Sequence, residues 1–181
     1  LLQGDVGSGK TVVATIAALQ VIENGSQVAF MAPTEILAEQ HYRKLYEWLT
    51  PLDIEVAWLT GSQSKKDREI SLKMTQSGEA HIVVGTHALF QEHVIFNKLG
   101  LSIIDEQHRF GVEQRLALRK KGQLDKANEP HQLMMSATPI PRTLSMSYFA
   151  DLDVSIIDEL PKGREAIVTK LFSEDRRDEI L

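Results

Sequence analysis

One eight-residue string restricts the fold of this chain more than any other feature. Residues 4–11 read GDVGSGKT, which matches the phosphate-binding pattern G-x-x-x-x-G-K-[ST] in full. Residues 1–3 before the string are typical of the end of a buried strand, and residues 11–22 after it have the pattern of a helix. A strand, a glycine-rich loop and a helix in this order are the setting that the motif requires. The sequence therefore predicts an α/β fold of the P-loop NTPase class.

Each residue type in the string contributes differently to phosphate binding. The glycines let the backbone turn tightly, so that N–H groups of the loop and of the helix N-terminus point at phosphate oxygens. Lys10 adds a full positive charge, and Thr11 adds a hydroxyl for magnesium. A glycine-rich turn followed by an accidental Lys-Thr is the competing interpretation. The predicted nucleotide-binding set is the whole string: Gly4, Asp5, Val6, Gly7, Ser8, Gly9, Lys10 and Thr11.

Two adjacent acids, Asp105 and Glu106, end an apolar run that begins at residue 101. Open parallel sheets hold ligands at the carboxyl ends of their strands, and adjacent residues there point in different directions. We assign Asp105 to magnesium and Glu106 to activation of the attacking water, because P-loop chemistry needs both roles. An isolated Asp-Glu pair would be a surface pair, but the upstream loop favours the functional interpretation. Lys10, Asp105 and Glu106 form the predicted catalytic set, and Thr11 and Asp105 the metal set.

The rest of the chain alternates apolar runs with amphipathic ones. This alternation predicts right-handed crossovers and a parallel sheet with helices on both faces. Helices are predicted at 34–49, with Thr34 as the N-cap, and at 65–76. Strands are predicted at 27–32, 55–60, 81–86, 101–106 and 131–138.

Composition restricts the function further. A chain of 181 residues with 43% hydrophobic residues is long enough for one domain with a full core. It has no cysteine, which excludes disulfides and thiolate metal sites, and its six histidines form no H-E-x-x-H pair. The formal net charge of -5 argues against a sequence-wide attraction to nucleic acid, so any such contact must be local. No cationic leader with an apolar segment opens the sequence, and we expect cytoplasmic residence.

The two ends of the sequence suggest a piece of a longer protein. There is no initiator Met, the first residues have the character of mid-strand, and residues 173–181 begin a helix and stop. We expect one domain over 1–160, truncated at its N-terminal strand. Residues 161–181 are expected to form a connector and the start of a second domain.

Six strings resemble, in order and spacing, the motifs of superfamily 2 helicases. They are GDVGSGKT at 4–11, MAPTEILAEQH at 31–41, LTGS at 59–62, VGTHALFQ at 84–91, DEQHRFGVEQR at 105–115 and SATPIPRTL at 136–144. Within the superfamily the chain is most similar to the bacterial helicases that migrate branched DNA, and specifically to the first of their two RecA-like motor domains. The resemblance implies ATP and Mg²⁺ as cofactors. It also implies replication forks and Holliday junctions as partners, with a wedge domain and a second RecA-like domain in the same parent, and no membrane.

The resemblance implies further roles residue by residue. Hydroxyls, helix N-termini and backbone amides at strand ends can bind phosphates without reading bases, which lets an acidic domain act on DNA. The residues that correspond to DNA-backbone motifs are Pro33, Thr34, Thr60, Gly61, Thr86 and His87. Those that correspond to motifs coupling nucleotide state to DNA movement are Gln107, His108, Ser136, Ala137 and Thr138. For His108, a merely structural hydrogen bond stays open as the alternative.

Other basic residues receive weaker interpretations. His41, His81, His93 and His131 are interpreted as surface or satisfied histidines, and the basic run at 119–121 as a solvated helix end that could also lie along DNA. Three arginines sit beside motifs, and we expect them to be functional without assigning a contact: Arg109, Arg115 and Arg142.

Three alternative functions remain. The transcription-repair coupling translocase shares the ATPIPRTL string but carries a second Glu where this chain has Gln107, which favours the branch-migrating helicases. A GTPase or small-molecule kinase is disfavoured because NKLG at 97–100 lacks the Asp of the N-K-x-D pattern. A non-catalytic scaffold is disfavoured by the intact Lys10, Asp105 and Glu106. Since the arginine finger is implied to come from the second motor domain, the isolated chain is expected to bind nucleotide with little turnover.

Overall fold

The computed structural model describes residues 1–106, 129–138 and 153–159. Within these ranges the helices are α1 (Lys10–Glu23), α2 (Glu35–Leu49) and α3 (Lys65–Ser77), with short 3₁₀ helices at Thr50–Leu52 and His87–Phe90. The strands are β1 (Leu2–Gly4), β2 (Gln27–Met31), β3 (Val56–Leu59), β4 (Ile82–Gly85), β5 (Leu99–Ile104), β6 (His131–Ser136) and β7 (Ser155–Ile157).

These strands form a parallel sheet in the order β3-β4-β2-β5-β6-β1-β7. Alternate residues of β2 show how its two faces are covered. Val28 and Phe30 belong to a core cluster that also contains buried residues of α1 and α2. Ala29 and Met31 belong to a second cluster, against which α3 packs. The predicted parallel sheet with helices on both faces is therefore confirmed. In the described part of the chain, no helix is both long and apolar enough to cross a membrane.

Side-chain caps fix where two of the helices begin. The Thr34 hydroxyl accepts a hydrogen bond from the Leu37 N–H at 3.3 Å, and the Ser64 hydroxyl accepts one from the Asp67 N–H at 3.2 Å. Such caps satisfy amide donors that the first turn of a helix leaves unpaired. The prediction of Thr34 as the N-cap of α2 is confirmed.

The predicted bounds of β5 were wrong by two residues at each end. The strand covers 99–104 rather than 101–106, so Gly100 lies within it and both acids follow it. A Cβ at Gly100 would lie 2.7 Å from Ser26 Cβ and 2.9 Å from Val21 Cγ1. Glycine is needed here because the turn after α1 packs closely on the strand, not because the chain reverses direction.

β6 is also shorter than predicted, since it ends at Ser136 and leaves Ala137 and Thr138 beyond the strand. β7 was not predicted at all. It has only three residues, of which Ser155 and Ile156 are exposed, so the sequence here contains no buried apolar run long enough to indicate a strand. It nevertheless extends the sheet by pairing with β1, with Leu2 opposite Ser155.

The buried amide of Gln27 joins three segments of the fold. Its Nε2 donates to the carbonyl oxygens of Thr75 at 2.9 Å and Ala80 at 2.7 Å. Its Oε1 accepts from the backbone N–H groups of Asn97 at 2.7 Å and Lys98 at 3.1 Å. One side chain therefore satisfies four backbone groups, which lie in the last turn of α3, in the loop before β4 and in the segment before β5.

We expect Gln27→Leu to lower the free energy of unfolding by about 3 kcal/mol, because it keeps the side-chain size but leaves buried backbone groups without partners. Urea unfolding followed by circular dichroism measures the change. Gln20→Leu is the matched control, since Gln20 is exposed on α1. Equal losses in the two variants would contradict the prediction.

Candidate functional site

The loop between β1 and α1 has the backbone shape of an anion site. Gly7 and Gly9 have positive φ angles of 80° and 97°, a region that glycine adopts readily and other residues rarely do. Gly9 is the N-cap of α1, and within the described residues no side chain caps this helix. The Val12 N–H donates to Gly9 O at 2.9 Å. The N–H groups of Lys10 and Thr11, at the positive end of the helix dipole, are therefore the ones suited to a ligand.

The inside of the loop fits a phosphate group. A Cβ at Gly4 would lie 2.5 Å from Ser8 Oγ and 3.1 Å from Ile157 Cβ, so a side chain there would displace the Ser8 hydroxyl. Ser8 Oγ is buried and has no hydrogen-bond partner among the described residues, which is unusual for a hydroxyl and suits a phosphate oxygen. Lys10 Nζ donates to the carbonyl oxygens of Gly4 at 2.7 Å and Asp5 at 2.8 Å. Its ammonium group therefore lies against the loop, with two of its three donors used.

The two acids lie directly after β5, at the carboxyl end of the sheet. Asp105 is 8% exposed, and its backbone N–H donates to Met31 O on the neighbouring strand at 2.9 Å. One carboxylate oxygen, Oδ1, accepts from the Glu106 N–H at 3.0 Å. Glu106 has a φ of 49°, the left-handed region, where a residue with a side chain is strained by roughly 1–2 kcal/mol. Such strain is concentrated at functional sites. The roles assigned to the two acids stay predictions.

His41 is a candidate site residue that the sequence interpretation missed. Its imidazole Nε2 donates to the other oxygen of Asp105, Oδ2, at 2.7 Å. Its ring also packs on Phe30, with ring centroids 4.7 Å apart. The interpretation of a satisfied histidine was right, but the partner is the acid assigned to magnesium. The spacing offered a signal. His41 stands seven residues, or two helical turns, after the Thr34 N-cap, so it lies on the same side of α2 as a residue assigned to the DNA backbone.

β6 lies between the strand that carries the phosphate loop and the strand that precedes the acids. Because neighbouring strands are about 4.8 Å apart, the ends of β1 and β5 are roughly 10 Å apart, with Ser136 between them. Ser136 is buried, and its hydroxyl lies 2.9 Å from that of Thr138. This position suits the coupling role that the resemblance implies for Ser136, Ala137 and Thr138.

Several residues with predicted roles lie outside the described ranges: Gln107, His108, Arg109, Arg115, Arg142 and the basic run at 119–121.

The three segments assigned to DNA lie at the same edge of the sheet. Residues 33–34, 60–61 and 86–87 follow β2, β3 and β4, which are neighbours in a parallel sheet. Gly61 and His87 are exposed, whereas Thr60 and Thr86 are buried. The structure thus brings all three segments to the edge that also carries the phosphate loop and the acids.

Side chains outside the predicted set connect these segments. Glu35, in the first turn of α2, accepts a hydrogen bond from the Ser62 N–H at 3.2 Å. Arg68 of α3 donates to Thr60 O at 3.0 Å and also to the side chain of Gln91. Arg68 was not singled out from the sequence because it lies in a charged surface helix, where an arginine is ordinary.

The parallel sheet, the phosphate loop and the acids beyond β5 define a nucleotide-binding domain of the helicase type. The chain belongs to the DEAD/DEAH box helicase family, whose model matches residues 1–147. Among individual proteins it is similar to the ATP-dependent DNA helicase RecG: it is 62% identical to that of Haemophilus influenzae over 182 residues and 58% identical to that of Escherichia coli over 181 residues. Each alignment covers 100% of this chain and 26% of the relative. The chain therefore spans about a quarter of the length of these relatives.

Solved structures agree with this assignment. The chain matches the structure described as RecG bound to a three-way DNA junction with a TM-score of 0.82 and 46% identity, over 99% of this chain and 23% of that one. The helicase domain of Pyrococcus furiosus Hef matches with a TM-score of 0.64 and 22% identity, over 86% of this chain and 34% of that one, which shows the fold alone. The resemblance to RecG helicases is therefore confirmed, and the family supports the use of a nucleotide.

Proposed function

We propose that this chain is the first RecA-like motor domain of an ATP-dependent DNA helicase that acts on branched DNA and stalled replication forks in recombination and repair. One observation carries the proposal: a single edge of the sheet holds the phosphate loop, the acid pair and the three segments assigned to the DNA backbone. The relatives named ATP-dependent DNA helicase RecG, and the relative bound to a three-way DNA junction, support it.

The described residues fit ATP and Mg²⁺ as cofactors. The loop at 4–11 would hold the phosphates, and Thr11 and Asp105 would hold the metal. Magnesium usually keeps several waters and takes only one or two carboxylates, and no cluster of three or more His, Cys, Asp or Glu side chains occurs among the described residues. When bound, Mg²⁺ neutralises negative charge on the transferred phosphate. The single buried carboxylate of Asp105 suits this ion.

Catalysis then depends on three side chains of this domain. Lys10, whose ammonium lies against the loop, binds and orients the phosphates. Asp105 is held in place through both carboxylate oxygens. Glu106 takes the proton of the attacking water, which is the role of a general base. The resemblance to superfamily 2 helicases implies that the arginine finger that completes the site comes from the second RecA-like domain. Such a finger is worth on the order of a thousandfold in rate.

DNA contact is proposed to be local and directed at the backbone. The formal charge of -5 gives no general attraction to DNA. The three segments instead offer the N-terminus of α2 and exposed backbone at Gly61 and His87. Such groups hold phosphates without reading sequence, whereas the side chains of Thr60 and Thr86 are buried. Recognition of the branch itself is assigned to the wedge domain of the parent. We place the protein in the cytoplasm because its proposed substrate, replicating bacterial DNA, lies there.

The chain is proposed to contain one motor domain and a short segment after it. The motor domain covers 1–160, and its last described strand is β7, which pairs with β1. Residues 161–181, which lie outside the described residues, are proposed to form the connector and the start of the second RecA-like domain.

We expect the full-length protein to unwind a model replication fork at least tenfold faster than a linear duplex of equal length, and only with ATP and Mg²⁺. Strand separation is measured with fluorescently labelled strands, and the reaction without ATP is the control. Equal rates on fork and linear duplex would contradict the proposal. Displacement of a stalled RNA polymerase without fork unwinding would instead favour the transcription-repair coupling translocase.

A further inference from the structure

We propose that His41 is a positioning residue that connects Asp105, the acid assigned to magnesium, with helix α2. This helix begins at the sheet edge that carries the three segments assigned to DNA, which we call the DNA-facing edge. Through this contact, binding of DNA alters the affinity of the site for magnesium nucleotide. The proposal deepens the proposed function and rests on it.

The contact between His41 and Asp105 is built rather than incidental. Both side chains are 12% exposed, and their Nε2 and Oδ2 atoms are 2.7 Å apart. The imidazole is held from one side by the ring of Phe30, a fully buried residue of β2. The second oxygen of Asp105 accepts from the Glu106 N–H at 3.0 Å. His41 therefore determines the orientation of a carboxylate whose other oxygen is already fixed by the backbone.

α2 connects this contact to the DNA-facing edge. Thr34, assigned to the DNA backbone, is the N-cap of α2, and His41 follows it by seven residues. Seven residues are two helical turns, or about 10 Å along the axis, so both residues lie on the same side of the helix. Ala38, Leu45 and Leu49 of the same helix are buried. Because α2 is packed along its length, a shift of its first turn moves His41 as well.

The first turn of α2 is also connected to the neighbouring DNA segment. Glu35 accepts from the Ser62 N–H at 3.2 Å, next to Gly61. Arg68 then donates to Thr60 O at 3.0 Å in the same turn. Binding of the DNA backbone at residues 33–34 or at residues 60–61 therefore acts on the start of α2. In turn, α2 acts on Asp105 through His41. Since coupling between two sites is reciprocal, loading of the metal site must equally change affinity for DNA.

The test measures coupling rather than activity. In the full-length protein, the dissociation constant of a fluorescent non-hydrolysable ATP analogue with Mg²⁺ is measured without DNA and with saturating model fork. Coupled sites typically change each other's affinity by roughly 5–150-fold, and we expect the wild-type ratio of the two constants to fall in this range. His41→Ala should bring the ratio to within about twofold of one, because alanine cannot reach Asp105.

Two further variants separate the hydrogen bond from simple folding. His41→Gln can place an Nε2 donor near the position of the imidazole nitrogen, and it should keep most of the wild-type ratio. His131→Ala, at the exposed amino end of β6 and so at the opposite edge of the sheet, should leave the ratio unchanged. Thermal melting of each variant confirms that it is folded.

Each other result overturns the proposal in an identifiable way. If His41→Ala weakens nucleotide binding equally with and without DNA, His41 only supports the site and carries no coupling. An unchanged ratio in His41→Ala, or a ratio in His41→Gln as low as in His41→Ala, also overturns it. A wild type that binds nucleotide and fork independently refutes this inference alone. A wild type that binds no magnesium nucleotide refutes the proposed function together with it.

Discussion

Replacing Lys10 with alanine is expected to weaken binding of magnesium nucleotide to the full-length protein by about a hundredfold. Lys10 Nζ lies within hydrogen-bond distance of Gly4 O and Asp5 O, so its charge is held against the phosphate loop. A hydrogen bond to a charged group contributes roughly 1.5–3 kcal/mol, and in a loop of this pattern we expect the ammonium to contact two phosphates. The dissociation constant of a fluorescent ATP analogue in the presence of Mg²⁺ measures the loss.

Lys98→Ala is the matched control for Lys10→Ala. Lys98 is exposed and directly precedes β5, at the amino ends of the strands, so the variant removes the same charge at the opposite edge of the sheet. If both variants bind nucleotide as tightly as the wild type, the loop at 4–11 is not the phosphate site. If both lose affinity equally, the effect comes from net charge rather than from position.

Local patterns predicted the parts of the fold that depend on neighbouring residues. β2 and β4 are buried throughout, and a parallel strand with both faces covered gives a continuous apolar run in the sequence. Thr34 could be recognised as an N-cap because a cap uses only the hydroxyl and the next three residues. The phosphate loop was recognised for the same reason, since its residues are consecutive and each has a defined chemical role.

Contacts between distant segments could not be predicted in this way. The predicted strand began after Gly100, because the neighbour that requires glycine there, the turn after α1, is about 75 residues away in sequence. His41 and Asp105 are 64 residues apart, and Arg68 donates to the side chain of Gln91, 23 residues further along the chain. These residues have common identities at ordinary positions. Only the order of strands in the sheet brings their partners near, and that order is a tertiary property.

Replacing Glu106 with glutamine is expected to reduce ATP hydrolysis by the full-length protein by a hundredfold or more, while nucleotide affinity changes little. Glutamine has the same size but cannot accept the proton of the attacking water, and general bases contribute about 10²–10⁴-fold in rate. We expect the backbone around residue 106 to be preserved in the variant. Residue 106 has a φ of 49°, which strains Glu and Gln alike, and Asp105 is held by the backbone N–H of residue 106, not by its side chain.

Single-turnover hydrolysis and nucleotide binding, measured on the same preparation with fork DNA present, separate catalysis from binding. Glu79→Gln is the control, because Glu79 is exposed in the loop before β4 and the substitution is chemically identical. Hydrolysis by Glu106→Gln within a few-fold of the wild type would mean that another group takes the proton. A parallel loss of binding and hydrolysis would instead assign Glu106 to the metal site beside Asp105. Because His41 is hydrogen-bonded to Asp105 and the variant changes the neighbouring residue, we expect hydrolysis to be lost and the response of nucleotide affinity to DNA to be retained.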